Sequence, residues 1–255
     1  VTNPDRFLGR AEVYASARPT YPSALGEWLA GLGLLSGRVA DVGAGTGLFT
    51  RLLLAHAMGP AFALDAVEPN PEMRGQLEVA LAGEVTAGRL AVYNGTSEAT
   101  ALESASVRLI TAAQAAHWFA PTPTVREFRR VLAPGGQVLL VWNDWRGVDT
   151  GFNAAYREVV TAFSREDGEL LSRVPEHELP LLMPGGFAVQ VFDNPVRFTR
   201  ERLHALAGSV SYLPAPSDPQ FAVVARQLDS AFEAYAEEGH VTLTYRTYAY
   251  LGRLD

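Results

Sequence analysis

Val39–Leu54 reads VADVGAGTGLFTRLLL. Apolar residues run into Gly43, Gly45 and Gly47. Helical apolar spacing follows at once, with Leu48, Phe49, Leu52, Leu53 and Ala55 as the expected inner face. The stretch predicts a buried strand, a glycine turn and a helix. Glycine lets a backbone turn sharply and approach a ligand closely. The free N–H groups of the helix that follows point at whatever lies above the strand end. Structural βα turns also use glycine, but three at alternate positions behind a buried strand favour a nucleotide-like ligand.

Outward from this stretch the same alternation continues. A helix is expected from Ser23, and strands at Phe62–Val67, Leu90–Tyr93, Val107–Ala113 and Gln137–Trp142. Helices are expected over Pro71–Leu81 and around Val125–Leu132, the latter ending at APGG, Ala133–Gly136. This is the pattern of βαβ crossovers and a mostly parallel sheet, an α/β fold. After Asn143 it stops. A helix carrying Phe152, Tyr156, Val159 and Phe163 is followed by a charged, Pro- and Gly-containing stretch, 164–186, expected as a loop or lid. A sixth strand is expected at Phe187–Asp193, helices over Thr199–Gly208 and Phe221–Glu237, and a last strand at His240–Leu251. The chain reads as one domain, 1–255. Its expected parts are a covering segment (1–36), a core (37–145), a helical cap with the sixth strand (146–238) and the last strand (239–255).

Two acids narrow the ligand. The dinucleotide fingerprint G-x-G-x-x-G would need glycine at 48, where Leu48 stands. Asp41, just before the turn, disfavours a pyrophosphate and suits a ligand with an ammonium group. Glu68 ends the second strand and can take both hydroxyls of a ribose. Together they point to a nucleoside with a cationic amino-acid tail and no phosphate chain, the constitution of S-adenosylmethionine.

Composition excludes other classes. The chain has 255 residues, a net charge of −7 and no cysteine, and all its fixed positive charge is arginine. Disulfides, thiolate zinc sites, cysteine nucleophiles and Schiff-base lysines are therefore out. The acidity argues against nucleic acid and anionic membranes as partners. VTNPDRFLGR lacks the apolar core of a signal peptide, and Gly59-Pro60 breaks the longest apolar run, so a cytoplasmic protein is expected. The five histidines are scattered and no acid-rich metal pattern accompanies them, so no metal is expected. A monomer or homodimer is the expected state.

Several segments carry a family resemblance. DVGAGTG and VEPNPEM are similar to the first and second motifs of class I S-adenosylmethionine-dependent methyltransferases. NGTSEATAL stands where that family has its adenine loop, and RVLAPGGQVLLVWND resembles its PGG segment. AAQAAHWF narrows the likeness to the type-11 group. SVSYLP and GHVTLTYRTYAYLGR are similar to segments of small-molecule methyltransferases of the trans-aconitate methyltransferase kind. The resemblance implies a Rossmann-like, seven-stranded sheet with the last strand antiparallel, helices on both faces and a cap. It implies that Asp41, Gly43, Ala44, Gly45 and Gly47 surround the methionine part. Glu68 would hold the ribose, flanked by Pro69, Asn70 and Met73, and Thr96, Ser97 and Glu98 would form the adenine edge. Gln114 would reach the methionine carboxylate or the sulfonium region. Tyr14, Arg18 and Tyr21 would fold over the cofactor, Arg18 toward its carboxylate. One departure is Asn94, where the family usually has Asp.

Methyl transfer from a sulfonium is an in-line displacement that needs a base only when the acceptor must lose a proton. His117 is the candidate base; its alternative role is to pack beside Trp118 and shape the pocket. Trp118, Asn143, Asp144, Trp145 and Tyr212 are the expected acceptor-side residues, with His204 a further candidate in the cap. Arginines and aromatics in the cap lean toward a flat or carboxylated small molecule. The reaction expected is methyl transfer to O, N or C of a small acceptor, a carboxylate included, giving S-adenosylhomocysteine. The alternatives are a cofactor-bound fold that catalyses or scaffolds another reaction, and a non-catalytic binding module.

Overall fold

The structure is a computed structural model that describes residues 17–149, 151–164, 174–210 and 212–255. Along the chain the elements are α1 (Ser23–Gly31), β1 (Arg38–Val42), α2 (Leu48–Ala55), β2 (Ala63–Val67), α3 (Pro71–Ala80), α4 (Ala82–Thr86), β3 (Leu90–Tyr93) and β4 (Val107–Ala113). They continue with α5 (Pro121–Val131), β5 (Leu132–Asp144), α6 (Phe152–Phe163), β6 (Phe187–Phe198), α7 (Arg200–Ser209), α8 (Phe221–Tyr235) and β7 (Val241–Gly252). The sheet order is β3-β2-β1-β4-β5-β7-β6, with β7 antiparallel to both its neighbours and the other pairings parallel. Strand order reverses between β1 and β4, which is where open α/β sheets bind ligands at their carboxyl edge.

Alternation along each strand splits the core into two layers. Ala40, Val42, Leu140 and Trp142 face one side with Val125 and Phe128 of α5. Val39, Leu139 and Val141 face the other with Leu25 and Leu29 of α1, Leu53 of α2 and Leu77 of α3. In α2 the buried face is Phe49, Thr50, Leu53 and Leu54, while Ala55 is exposed. The expected face is thus turned so that a threonine comes inward, for a reason given below. The PGG segment is not a free turn: α5 ends at Val131, and the β4–β5 register jumps from Val107↔Leu132 to Leu109↔Gln137, so Ala133–Gly136 bulge out of the ladder.

The part of 164–186 that is described does not cover the strand ends. Glu176–Leu181 form a 3-10 turn, and Val174, Leu179, Leu182 and Met183 join the layer of Phe128 and Trp142. Gly185 N–H bonds Arg253 O, beside the Gly252 end of β7. That end pairs with Val138, well before the Asp144 end of β5.

The cap stands on an overhang. β5 stops at Asp144, opposite Arg246, but β6 and β7 go on pairing from Asn194↔Tyr245 to Phe198↔Val241. Five further pairs at ~3.4 Å each carry this ribbon roughly 17 Å past the sheet edge. The sixth strand was expected to end at Asp193, before Pro195; β6 is an edge strand, where proline's missing N–H does no harm. Val196, Phe198, Val241, Leu243 and Tyr245 then supply the floor on which α6, α7 and α8 pack.

Candidate active site

The cleft lies above the carboxyl ends of β1, β2 and β4. The turn after β1 is held by backbone: Gly43 N–H and Ala44 N–H both donate to Val67 O, at 2.8 and 3.2 Å. Gly43, Gly45 and Gly47 all have positive φ, at 73°, 57° and 85°. A Cβ at Gly43 would stand 2.6 Å from the Ala115 Cβ, so this glycine is needed for close approach to the end of β4. At Gly47 a Cβ would press on Leu77 and Leu81. Gly47 is the left-handed N-cap of α2, packed against α3, and is not among the residues that line the cleft.

Two buried carboxylates face this turn. Asp41 accepts from Thr50 Oγ1 at 2.7 Å and from Thr111 Oγ1 at 2.9 Å. That pairing is why Thr50 takes an inward place on α2. Burial, only partly offset by these hydroxyls, pushes Asp41 up to about 6. Glu68 Oε2 accepts from Gly45 N–H at 2.9 Å and Oε1 from Asn70 N–H at 2.8 Å, and burial raises it too. Each oxygen keeps a second lone pair, so the carboxylate can brace the loop and still accept hydroxyls. Asn70 caps α3, its Oδ1 accepting from Glu72 N–H and Met73 N–H.

Around these acids the cleft is lined by Tyr21, Gly43, Ala44, Gly45, Pro69, Asn70 and Met73, and at its far edge by Thr96, Ser97 and Glu98. Burial pushes Glu98 up, but donors from Ala120 N–H, Ser97 and Thr96 outweigh it and hold it below its ordinary range. Asn94 is not part of this edge; it is exposed and accepts from Arg74. Gln114 lines the cleft in a left-handed conformation, φ 53°, rare for a non-glycine residue and typical of strained functional positions. Its side-chain amide donates to Asn143 O at 3.1 Å. Trp118 lines the same wall.

The remaining expected residues lie elsewhere. Tyr14 falls outside the described residues. Arg18 does not line the cleft; its Nη2 donates to Ser209 O of the cap at 3.0 Å. His117 lies behind Trp118, rings 4.9 Å apart, with Trp142 Nε1 donating to its Nδ1 at 3.5 Å. Burial, and then Arg18, push His117 down to about 4, so it is neutral at ordinary pH. Asn143 is fixed by Thr247 Oγ1 at 2.6 Å, and Asp144 pairs with Arg146. Trp145 is buried in the cap against Tyr156, and Tyr212 packs on the same cluster. His204 bonds Asp229, which also binds Arg200.

Thr46, Leu48, Phe49, Ala113, Ala115 and Phe119 also line the cleft and were not expected. The signal was available for Phe49 and Thr46, which belong to the glycine turn and the first turn of α2. For Phe119, next to Trp118, it lay in the HWF string.

S-adenosylmethionine carries an ammonium, a carboxylate, a ribose diol and an adenine, and no phosphate. The cleft offers two carboxylates, glycine backbone, a hydroxyl-rich edge and aromatic walls, where Tyr21 and Phe49 meet edge to face at 4.8 Å. The Thr46 hydroxyl is buried here without a hydrogen-bond partner, as expected of a group awaiting a polar ligand. The residues fit the cofactor. Among the described residues no group of three or more His, Asp or Glu is gathered to hold a metal ion, and no helix is long and apolar enough to cross a membrane.

Residues 40–140 match the family described as "Methyltransferase domain". The chain is 36% identical over 167 residues to an uncharacterised methyltransferase of Mycobacterium tuberculosis, covering 66% of this chain and 59% of that protein. It therefore spans under two thirds of that relative's length. A methyltransferase-like protein of Schizosaccharomyces pombe is 28% identical over 250 residues, 93% of this chain and 91% of its own. Among solved structures, a candidate type II methyltransferase from Anaeromyxobacter dehalogenans superposes with a TM-score of 0.69 at 24% identity, over 93% of this chain and 98% of that one. That likeness shows the shared fold.

Proposed function

We propose that this chain, whose residues 40–140 match the methyltransferase-domain family, is a class I S-adenosylmethionine-dependent methyltransferase that carries a methyl group to a small-molecule acceptor seated between the cleft and the cap. The observation that carries the reading is the pair of buried acids, Asp41 and Glu68, facing the glycine turn, with no basic side chain among the described residues that line the cleft.

When bound, S-adenosylmethionine supplies an electrophilic methyl carbon on a sulfonium and leaves as S-adenosylhomocysteine. The chain's part is to bind, align and keep water out. Asp41 offers charge to an ammonium. Glu68 offers acceptor lone pairs to a diol while bracing the loop. Thr96, Ser97 and Glu98 meet a base edge, and Met73 and Phe119 supply apolar contact. Gln114, strained and tied to Asn143, sets the wall between the donor and acceptor halves. We assign His117 to holding Trp118 against the cleft rather than to taking a proton, because it accepts from Trp142 and is neutral well below ordinary pH.

Calorimetry with S-adenosylmethionine, S-adenosylhomocysteine and NAD tests the donor. The first two should bind and NAD should not. Gly45→Arg should abolish the binding in a protein that still folds, since a Cβ there meets nothing closer than the Met73 Sδ at 3.9 Å. Unchanged affinity in that variant would sink the site. Transfer itself is read as tritium moving from labelled donor into a small-molecule extract.

A further inference from the structure

Arg18 is set apart from the donor cleft by the structure. Tyr21, three residues on, lines the cleft, and Thr20 O is tied to Asn194 Nδ2 at 2.7 Å and to Asn143 Nδ2 at 3.3 Å. The guanidinium turns the other way, into the cap, where Nη2 meets Ser209 O. Arg202 Nη2 reaches back to Arg18 O at 3.1 Å, so the segment is held to the cap from both sides.

Three tyrosines share that space. Tyr156 of α6 and Tyr245 of β7 are buried in the cap core with Trp145, and Tyr212 packs against them. The Tyr156 ring meets Trp145 edge to face at 5.0 Å. Its hydroxyl is buried beside that of Tyr212. The three hydroxyls lie near one another and near the Arg18 charge, and burial raises all three, so each keeps its proton. On the cleft side the same arginine is close enough to His117 to disfavour its protonation, and His117 backs Trp118 of the cleft wall. A guanidinium and protonated phenols gathered beside a donor site form a set of hydrogen-bond donors without a carboxylate among them. A donor set of that kind suits an anion.

We propose that Arg18, with Tyr156, Tyr212 and Tyr245, anchors a carboxylate of the methyl acceptor, and that Arg18 serves the acceptor rather than the donor. The aromatic surroundings favour an acid with a flat apolar body. This rests on the methyl-transfer reading above, whose own failure shows separately as loss of S-adenosylhomocysteine binding by the native protein.

The test is calorimetry on the full chain saturated with S-adenosylhomocysteine, using benzoate, cinnamate, phenylacetate and fumarate, each beside its primary amide. At least one acid should bind, and its amide should bind at least about tenfold more weakly. Arg18→Met should bring that acid down to its amide while S-adenosylhomocysteine affinity stays within about twofold. Because Arg18 also ties the segment to the cap, Tyr156→Phe is the second variant. It removes a hydroxyl that takes no part in tying the segment to the cap, so it should nearly keep the melting temperature and weaken the acid about fivefold. The proposal is overturned if no acid binds, if amides bind as well as acids, if Tyr156→Phe leaves acid affinity unchanged, or if Arg18→Met weakens S-adenosylhomocysteine as much as the acid.

Discussion

Asp41→Asn isolates the cost of keeping a carboxylate ready for a cation. Asp41 is buried and stands at about 6 instead of the ordinary 3.8. At about 1.4 kcal/mol per pH unit, ionising it in the folded protein costs about 3 kcal/mol more than in the unfolded chain. The sign follows from proton counting. Between 3.8 and about 6 the folded state holds a proton that the unfolded state has released, so stability falls as pH rises through that window. Its contribution is full below 3.8 and gone above about 6. The asparagine variant lacks this slope. Its amide oxygen can accept from one threonine hydroxyl but not serve both as the carboxylate does, which sets a constant offset between the two proteins. The pH-dependent part of the difference is therefore the quantity to read. Urea unfolding of both proteins without ligand, from about pH 4.5 to about pH 7.5 at fixed ionic strength, should show the variant gaining roughly 2 kcal/mol on the native protein, with the gain complete by about pH 6.5. A difference that is flat across this range would mean that Asp41 ionises as an ordinary carboxyl, and the argument for a charge held ready for an ammonium would fail.

Three further outcomes follow from the same site. S-adenosylhomocysteine affinity, read by calorimetry, should fall about tenfold between about pH 7 and about pH 5, because Asp41 must be ionised to meet an ammonium; affinity independent of pH would contradict this. Thr46→Val should raise the stability of the ligand-free protein by about 1 kcal/mol, since the lost hydroxyl has no partner, and should weaken S-adenosylhomocysteine about fivefold; unchanged affinity would place that hydroxyl away from the ligand. Gly45→Ala should cost about 1–2 kcal/mol for a left-handed alanine, whereas Gly43→Ala adds a clash at 2.6 Å with the Ala115 Cβ and should melt clearly lower; equal melting temperatures would refute the close-approach account.

What the sequence made legible was local. Asp41, the glycine turn and Glu68 lie within one βαβ unit, where spacing dictates position, and all three sit together in the cleft. The same logic misplaced Gly47, because a glycine needed for a left-handed cap looks in sequence like one needed for a ligand. It turned the inner face of α2 by counting apolar residues, when a buried threonine was required by Asp41. It ended the sixth strand at Asp193 because proline is a poor strand residue, and nothing local says that the strand is at a sheet edge. For His117 the sequence left two roles open, a base or a residue packed beside Trp118; the hydrogen bond it accepts from the Trp142 indole favours the second.

The acceptor side was least legible because long-range contacts assemble it. Arg18 meets Ser209, and Thr20 meets Asn194, across 191 and 174 residues. Asn143 is where the halves join. Its carbonyl accepts from Gln114 of the cleft, its Oδ1 accepts from Thr247 at 2.6 Å and Asn194 at 3.3 Å, and its Nδ2 donates to Thr20 O. One residue at the end of β5 thereby holds the cleft wall by its carbonyl, and both strands of the ribbon and the N-terminal segment that carries Arg18 and Tyr21 by its side chain. Asn143 is expected from the sequence on the acceptor side; its hydrogen bonds also let it hold these parts in position. The ribbon that supports the cap begins at this level, Asn143 pairing with Thr247 in the ladder. The distance between donor cleft and cap cluster is therefore set by strand register, and register slips only in whole residues. A fold that hangs its cap on two paired strands can vary the helices of the cap, and with them the acceptor, without moving the donor acids.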